Sequence, residues 1–349
     1  MATLVDIAKR AGVSRRTVSR ILDGELKAVR SDAIKRVKRV RRIADELEYK
    51  PNGAARSTRT GKFNAVAVVS RRDVMLMQAD LLRGIHDALA DYGLNMHMAL
   101  IAPEQLAAKC PRLLRELCVD GMIVHYAKKI GGEIMDLIRG GNTPTVWVNL
   151  KRETDCVYPD DIDGAMKTVA ALTELGHRRI GYAYRPYSLN TGHLDTHYSV
   201  ADRCFGYRQA MEERGLPPCV IEVPGHEPAW ASQLAVWTAI LRENQQLTAW
   251  VTRTDSEATA LLSAALQLGW RVPQDVSVVG FSTHDGHESN LRPSAAVVPM
   301  ERVGRRAVEM LRRKLSGRDG DLASQLVPYD PPTHETIGPV KASKIKKGG

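Results

Sequence analysis

Arg15, Arg16 and Arg20 lie close together in the stretch AKRAGVSRRTVSRILDG, with Lys9 and Arg10 just ahead of them. A guanidinium is a planar fork of donors that stays charged, and it matches phosphate oxygens or the O6 and N7 edge of guanine with paired hydrogen bonds. The chemistry on offer is therefore recognition of a polyanion rather than bond breaking. Residues 1–62 hold 17 lysines and arginines against 7 acidic residues, whereas the remainder holds 33 of each, so all of the chain's formal +10 charge resides at the start. A solvated helix face mixes signs, and a one-sided block suggests nucleic acid or an anionic membrane as partner. No apolar run approaches the ~20 residues of a spanning helix, and the unbroken apolar core of a signal peptide is missing, so no membrane partner is expected. Cys110, Cys118, Cys156, Cys204 and Cys219 form an odd set without C-x-x-C spacing. That pattern suits neither a disulfide framework nor a zinc site, and a reduced, cytoplasmic setting is expected.

The arginines need elements to position them. Thr3 and Asp6 can cap a helix in the manner of a capping box, and Leu4, Ile7, Ala8 and Ala11 then recur at helical spacing. Gly12 breaks that helix and Ser14 is suited to start a second, with Val13 and Val18 placed to staple its entry. Two short helices joined by so small a turn form a helix-turn-helix. At ~100° per residue, Val18, Ile21 and Leu22 share one side of the second helix, Arg16 and Arg20 point away, and Arg15 and Ser19 flank them. The exposed side has the shape and charge that enter a DNA major groove. Asp32–Glu48 reads as a third helix with Ile34, Val37, Val40, Ile43, Ala44 and Leu47 on its apolar face and lysine or arginine at six intervening positions. Its cationic side can approach phosphates, which fix position without reading sequence.

LVDIAKRAGVSRRTVSRILDG, followed by YKPNGAARSTRTGK, resembles the DNA-binding head and hinge of the LacI/GalR family of bacterial transcription regulators. The resemblance implies that Arg15, Arg16 and Arg20 read bases, while Ser14, Thr17, Ser19 and Asn52 contact the DNA backbone. Two departures stand out. The stretch from Glu25 to Arg36 is longer than the family pattern and unusually basic. Thr58 occupies the place where the family's hinge helix normally carries a leucine wedge for the minor groove, and threonine is a short, polar wedge. Either the operator bends less, or another hinge residue does that work.

From Phe63 onward charge balances and short apolar runs alternate with amphipathic stretches. Strands are predicted at Ala65–Val69, Met96–Ile101, Met122–His125, Thr145–Asn149, Ile180–Tyr184, Val220–Val223, Ala249–Thr252 and Val276–Phe281. Helices are predicted at Leu81–Tyr92, Ala165–Leu175, Arg203–Arg214, Ala231–Arg242, Glu257–Leu268 and Met300–Leu315. Such alternation means mostly parallel sheets covered on both faces, and its length favours two similar lobes with a cleft at the carboxyl ends of the strands. VYPDDIDGA, ELGHRRIGY, DRCFGYRQAM, DVSVVGF and VPMERVGRRAVEML continue the family resemblance. The expected architecture is thus a small all-α helix-turn-helix head plus an α/β, two-lobed, periplasmic-binding-protein-like core. Expected boundaries are 1–50 for the head, 51–62 for the hinge, 63–330 for the core and 331–349 for a C-terminal tail.

By resemblance, Arg203 of the Arg-x-x-Gly-Tyr motif takes the family's cleft arginine position, and Trp230 a place where an aromatic covers a sugar face. Where the family often has Asn-Asp after one strand and Asp after another, this chain reads Thr254-Asp255 and Ser282; Asp255 is kept, and Asp285 is a candidate substitute. His125 and Asp160, each just past a strand-like run, are further candidates. His193 and His197 are spaced i, i+4 and His284, Asp285 and His287 are close, yet neither set fits a zincin pattern, so no metal is expected. Neither a phosphate-binding glycine loop nor a nucleophile elbow is present, so no cofactor and no enzyme activity is expected. The expectation is a homodimeric DNA-binding regulator, in repressor form, that reads a roughly palindromic operator under control of a small, sugar-like effector. A regulator that ignores effectors, a solute-binding protein and an enzyme on the same scaffold are the rival readings.

Overall fold

The computed structural model describes residues 2–22, 31–50, 61–71, 79–101, 118–125, 143–186, 197–224, 230–283, 292–317 and 320–341. They form two compact units that divide between Phe63 and Asn64.

In the first unit, α1 (Leu4–Ala11) starts at a reciprocal cap: the Thr3 hydroxyl accepts from the Asp6 amide, and the Asp6 carboxylate accepts from the Thr3 amide at 2.9 Å. Gly12 ends it at φ 64, a left-handed conformation that a Cβ disfavours. Ser14 Oγ accepts from the Thr17 amide at 3.1 Å and opens α2 (Arg15–Leu22). The third helix, α3 (Ser31–Glu46), closes a core of Ile7, Ala8, Ala11, Val18, Ile21, Val40, Ile43 and Ala44. The expected apolar face of α3 is narrower than its sequence suggests. Val37 and Leu47, the latter just past the end of the helix, are only partly covered and Ile34 is 40% exposed.

The second unit holds strands β1 (Ala65–Arg71), β2 (Asn95–Ile101), β3 (Gly121–His125), β4 (Thr145–Val148), β5 (Cys156–Pro159), β6 (Ile180–Tyr184), β7 (Cys219–Glu222), β8 (Ala249–Thr252), β9 (Ser277–Ser282), β10 (Ser294–Val297) and β11 (Gln325–Val327). Its helices are α4 (Ala79–Asp91), α5 (Asp161–Glu174), α6 (Tyr198–Glu212), α7 (Trp230–Glu243), α8 (Asp255–Gln267) and α9 (Met300–Leu315). Two sheets result, ordered β11-β5-β4-β3-β1-β2 and β10-β9-β8-β6-β7, and all their strand pairs are parallel. The expected α/β lobes are present, with β5, β10 and β11 as strands beyond those predicted. Each of the three has four residues or fewer.

The chain crosses between lobes more than once. It leaves β5 for α5, which packs on α6, then leaves β10 for α9, which packs on α4 and on β3, β4 and β5, and after β11 it crosses again. Residues 331–341 are therefore not the expected tail. The Thr333 amide donates to the Ala295 carbonyl at 2.9 Å, the Val278 amide to Thr336 at 3.0 Å, and the Val340 amide to Leu175 at 3.0 Å, which binds this segment to the second lobe. The close approach of α4 and α9 rests on glycine: a methyl group on Gly304 would lie 2.6 Å from the Leu81 carbonyl oxygen.

Candidate functional site

In the head, Arg15, Arg16 and Arg20 are all exposed on α2, whereas Val18 and Ile21 face the core. The first turn of α2 carries Arg15 and Arg16 and no acidic residue, the reverse of the usual preference for carboxylates at the positive end of a helix. Departures of this kind from a local rule are common at functional surfaces. Ser14 is exposed and Thr17 half-buried, and both share the cap, their hydroxyls 2.8 Å apart. Ser19 departs from the expected exposed flank: it is 6% exposed, because it follows Val18 round the helix toward the core. Asn52 and Thr58 lie outside the described residues.

In the larger unit, each sheet reverses strand order beside its first strand, between β1 and β3 and between β6 and β8. The carboxyl ends at such a switch point are where parallel sheets hold ligands. At the first, Ser70 and His125 stand in register, with Ser70 Oγ 3.3 Å from His125 Nδ1. His125 is 1% exposed and its Nε2 has no hydrogen-bond partner among the described residues. Burial, reinforced by nearby His197, pushes its pKa down to about 4. The folded state thus resists a proton that the unfolded chain accepts near pH 6.5, so this residue lowers stability progressively as pH falls from about 6.5 to 4. Across that window the loss is about 3 kcal/mol. Denaturant titrations of wild type and His125→Gln at pH 7.5 and 4.5 should show a clearly weaker acid dependence in the variant; equal slopes would refute the assignment.

At the second switch point, Arg185 and Arg253 are the first residues past β6 and β8, and both are buried. Buried Glu257 lies between them, accepting from the amides of Arg185 at 2.8 Å and Thr254 at 3.0 Å, with Arg253 Nε at 3.8 Å. Sequence reading missed both arginines; the available signal was their place immediately after a strand-like run, the same signal that flagged His125.

Arg203, near the start of α6, is 9% exposed, and its guanidinium is engaged on several sides. Nε donates to Asp161 Oδ1 at 2.6 Å, Nη1 to the Arg253 carbonyl at 2.7 Å and Nη2 to the Tyr329 hydroxyl at 3.5 Å, over the Phe281 ring at 4.3 Å. Tyr329 also donates to Asp161 Oδ1 at 2.7 Å. Asp161 and Tyr329 flank two of the crossings between lobes, so the expected ligand-binding arginine ties them together.

The start of α6 also latches onto the first lobe. His197 caps the helix, its Nε2 lies 3.2 Å from the carbonyl of Asn149, and the Tyr198 hydroxyl donates to Asn149 Oδ1 at 3.1 Å. Asn149 holds φ 57 at the end of β4, a left-handed conformation that asparagine tolerates. Lys151 adds an ion pair with Asp202 at 2.9 Å.

Asp255 and Ser282 are brought together, the Ser282 hydroxyl donating to Asp255 Oδ2 at 2.8 Å. Asp160 instead caps α5, accepting from the Asp163 amide at 3.1 Å. Trp230 begins α7, and its side chain, like all of Asp285, lies outside the described residues. Among the described residues no group of three His, Cys, Asp or Glu side chains could hold a metal ion, and no helix is long and apolar enough to cross a membrane.

Residues 3–52 match the family of bacterial regulatory proteins, lacI family, and residues 169–335 match the periplasmic binding protein-like domain, spans that together take in more than half of the chain. The chain thus joins a lacI-family DNA-binding head to a periplasmic binding protein-like domain. It is similar to two curated relatives along nearly their whole length. Catabolite control protein A of Priestia megaterium is 26% identical over 94% of this chain and 96% of that protein. The HTH-type transcriptional repressor PurR of Edwardsiella ictaluri (strain 93-146) is 27% identical over 92% of each. The fold is seen again in a lac repressor dimer bound to operator and the anti-inducer ONPF, with a TM-score of 0.74 and 20% identity over 97% of this chain and 99% of that one. A transcriptional regulator CelR–cellobiose complex gives a TM-score of 0.61 and 22% identity over 97% of this chain and all of that one. The lacI match takes in α1, α2 and α3 and so falls on the basic head, while the periplasmic-binding match carries Arg203, Arg185 and Arg253.

Proposed function

We propose that this chain is a homodimeric transcriptional repressor whose two heads occupy successive half-sites of an operator, and whose operator affinity is set by a small molecule held between the lobes. It acts in the cytoplasm, as a regulator rather than an enzyme. The observation that carries the reading is the trio Arg15, Arg16 and Arg20, exposed on the second helix of a capped helix-turn-helix whose other face is core. Ser14 and Thr17 at the helix start, with Asn52, supply backbone contacts, and Thr58 takes the minor-groove wedge position of the hinge. Support for the dimer comes from the lac repressor dimer on its operator, and support for a sugar-like effector from the cellobiose complex.

Control follows from linkage. An effector that favours one closure state of the lobes must displace the equilibrium of operator binding, and operator must alter effector affinity by the same factor. Arg203, Asp255, Ser282 and His125 lie at or beside the carboxyl ends of the two sheets, and Trp230 and Asp285 complete the proposed set. The Asn149 latch onto α6 is the contact that closure would make or break.

Selection of bound fragments from the source genome by the full chain tests this. A short, roughly two-fold symmetric sequence enriched many-fold over background is expected, and its enrichment should change when a carbohydrate library is added. Recovery of unselected genomic DNA would overturn the reading.

A further inference from the structure

The buried arginines at the second switch point are not equally compensated. Arg203 is paired with Asp161 at 2.6 Å and Arg253 with Glu257 at 3.8 Å. Arg185 is 2% exposed, yet only its main-chain amide reaches Glu257, and its guanidinium has no carboxylate at ion-pair distance among the described residues. Its Nη2 is buried without a hydrogen-bond partner, and the group lies 5.8 Å over the Trp237 ring. An aromatic face offsets little of the cost of withdrawing a full charge from water. Burial also pushes this guanidinium's pKa down from its ordinary value, and the charge on nearby Glu257 offsets only part of that effect.

We infer that the effector is an acid, a small molecule whose carboxylate or phosphate is held by Arg185 at the switch point of the second sheet. This rests on the effector-responsive reading above and narrows its ligand class. A carboxylate or phosphate accepts from a guanidinium in paired fashion, supplies the missing counter-charge, and sits where parallel sheets place their ligands. A purely neutral sugar would leave the Arg185 charge buried with only the partial compensation that Glu257 gives from beyond ion-pair distance.

The test is thermal unfolding of the full chain at constant ionic strength, in chloride, in phosphate, in D-gluconate, and in chloride with D-glucose. Wild type, Arg185→Met and Arg185→Lys are compared. Phosphate or gluconate should raise the wild-type midpoint by about 2–4 °C over chloride, through binding to the folded state alone. Arg185→Lys should keep part of that gain and Arg185→Met none. In chloride, Arg185→Met should be at least as stable as wild type, because it removes an incompletely compensated charge. The inference falls if wild type gains from neither anion, if Arg185→Met gains as much as wild type, or if Arg185→Met is markedly less stable in chloride, which would reveal a counter-charge within the chain. Stabilisation by D-glucose alone also overturns it, while leaving the regulator reading intact; failure of the wild type to select an operator sinks that reading instead.

Discussion

Arg203→Ala is expected to lower the stability of the larger unit by about 3–5 kcal/mol, the usual consequence of removing one partner from a buried ion pair. Asp161 is 2% exposed and would keep only the Tyr329 hydroxyl, and the Arg253 carbonyl would lose its donor at 2.7 Å. Denaturant unfolding followed by tryptophan fluorescence reads the effect. A double variant, Arg203→Met with Asp161→Leu, should recover much of the loss, since the penalty lies in the stranded carboxylate rather than in a strong net attraction. A loss below about 1 kcal/mol for Arg203→Ala would mean that water reaches Asp161 and that the network does not bind the crossings together.

The second large effect concerns the head. Arg16→Ala should weaken operator binding by about 1–3 kcal/mol while scarcely changing affinity for random duplex, and should relax preference at one or two base pairs. Lys38→Ala, from the exposed side of α3, should instead reduce binding to all sequences alike and lower the salt dependence by about one counterion. Titrations on specific and random duplex at several salt concentrations separate the two. An equal loss on both duplexes for Arg16→Ala would remove it from the base-reading surface.

Much of the fold can be read from the chain because its signals are local. Thr3, Asp6, Gly12 and Ser14 are capping and turn residues whose preferences act within four positions, and each sits where the structure needs it. Runs such as AVAVV and IGYAY are long enough to show a buried strand, whereas SAAV in β10 and QLV in β11 form only because neighbouring strands are already there. The site is less local. Arg203 is marked by its motif, but that Asp161 and Tyr329 meet on it depends on contacts across 42 and 126 positions of sequence. Arg185 and Arg253 gain meaning only once strand order puts β6 beside β8. Ser19 shows the limit of the helical wheel: an angle on α2 places it at the flank, and the nearness of the neighbouring helices decides that it is covered.

The repeated passage of the chain between lobes has a consequence for its synthesis. In chain order the head is complete by Glu46, but the first sheet waits for α9 and for β11 at Gln325–Val327. The groove reader is therefore finished while its controller still lacks an edge strand and a covering helix. On each newly made copy the head can therefore fold before the domain that follows it has all of its parts.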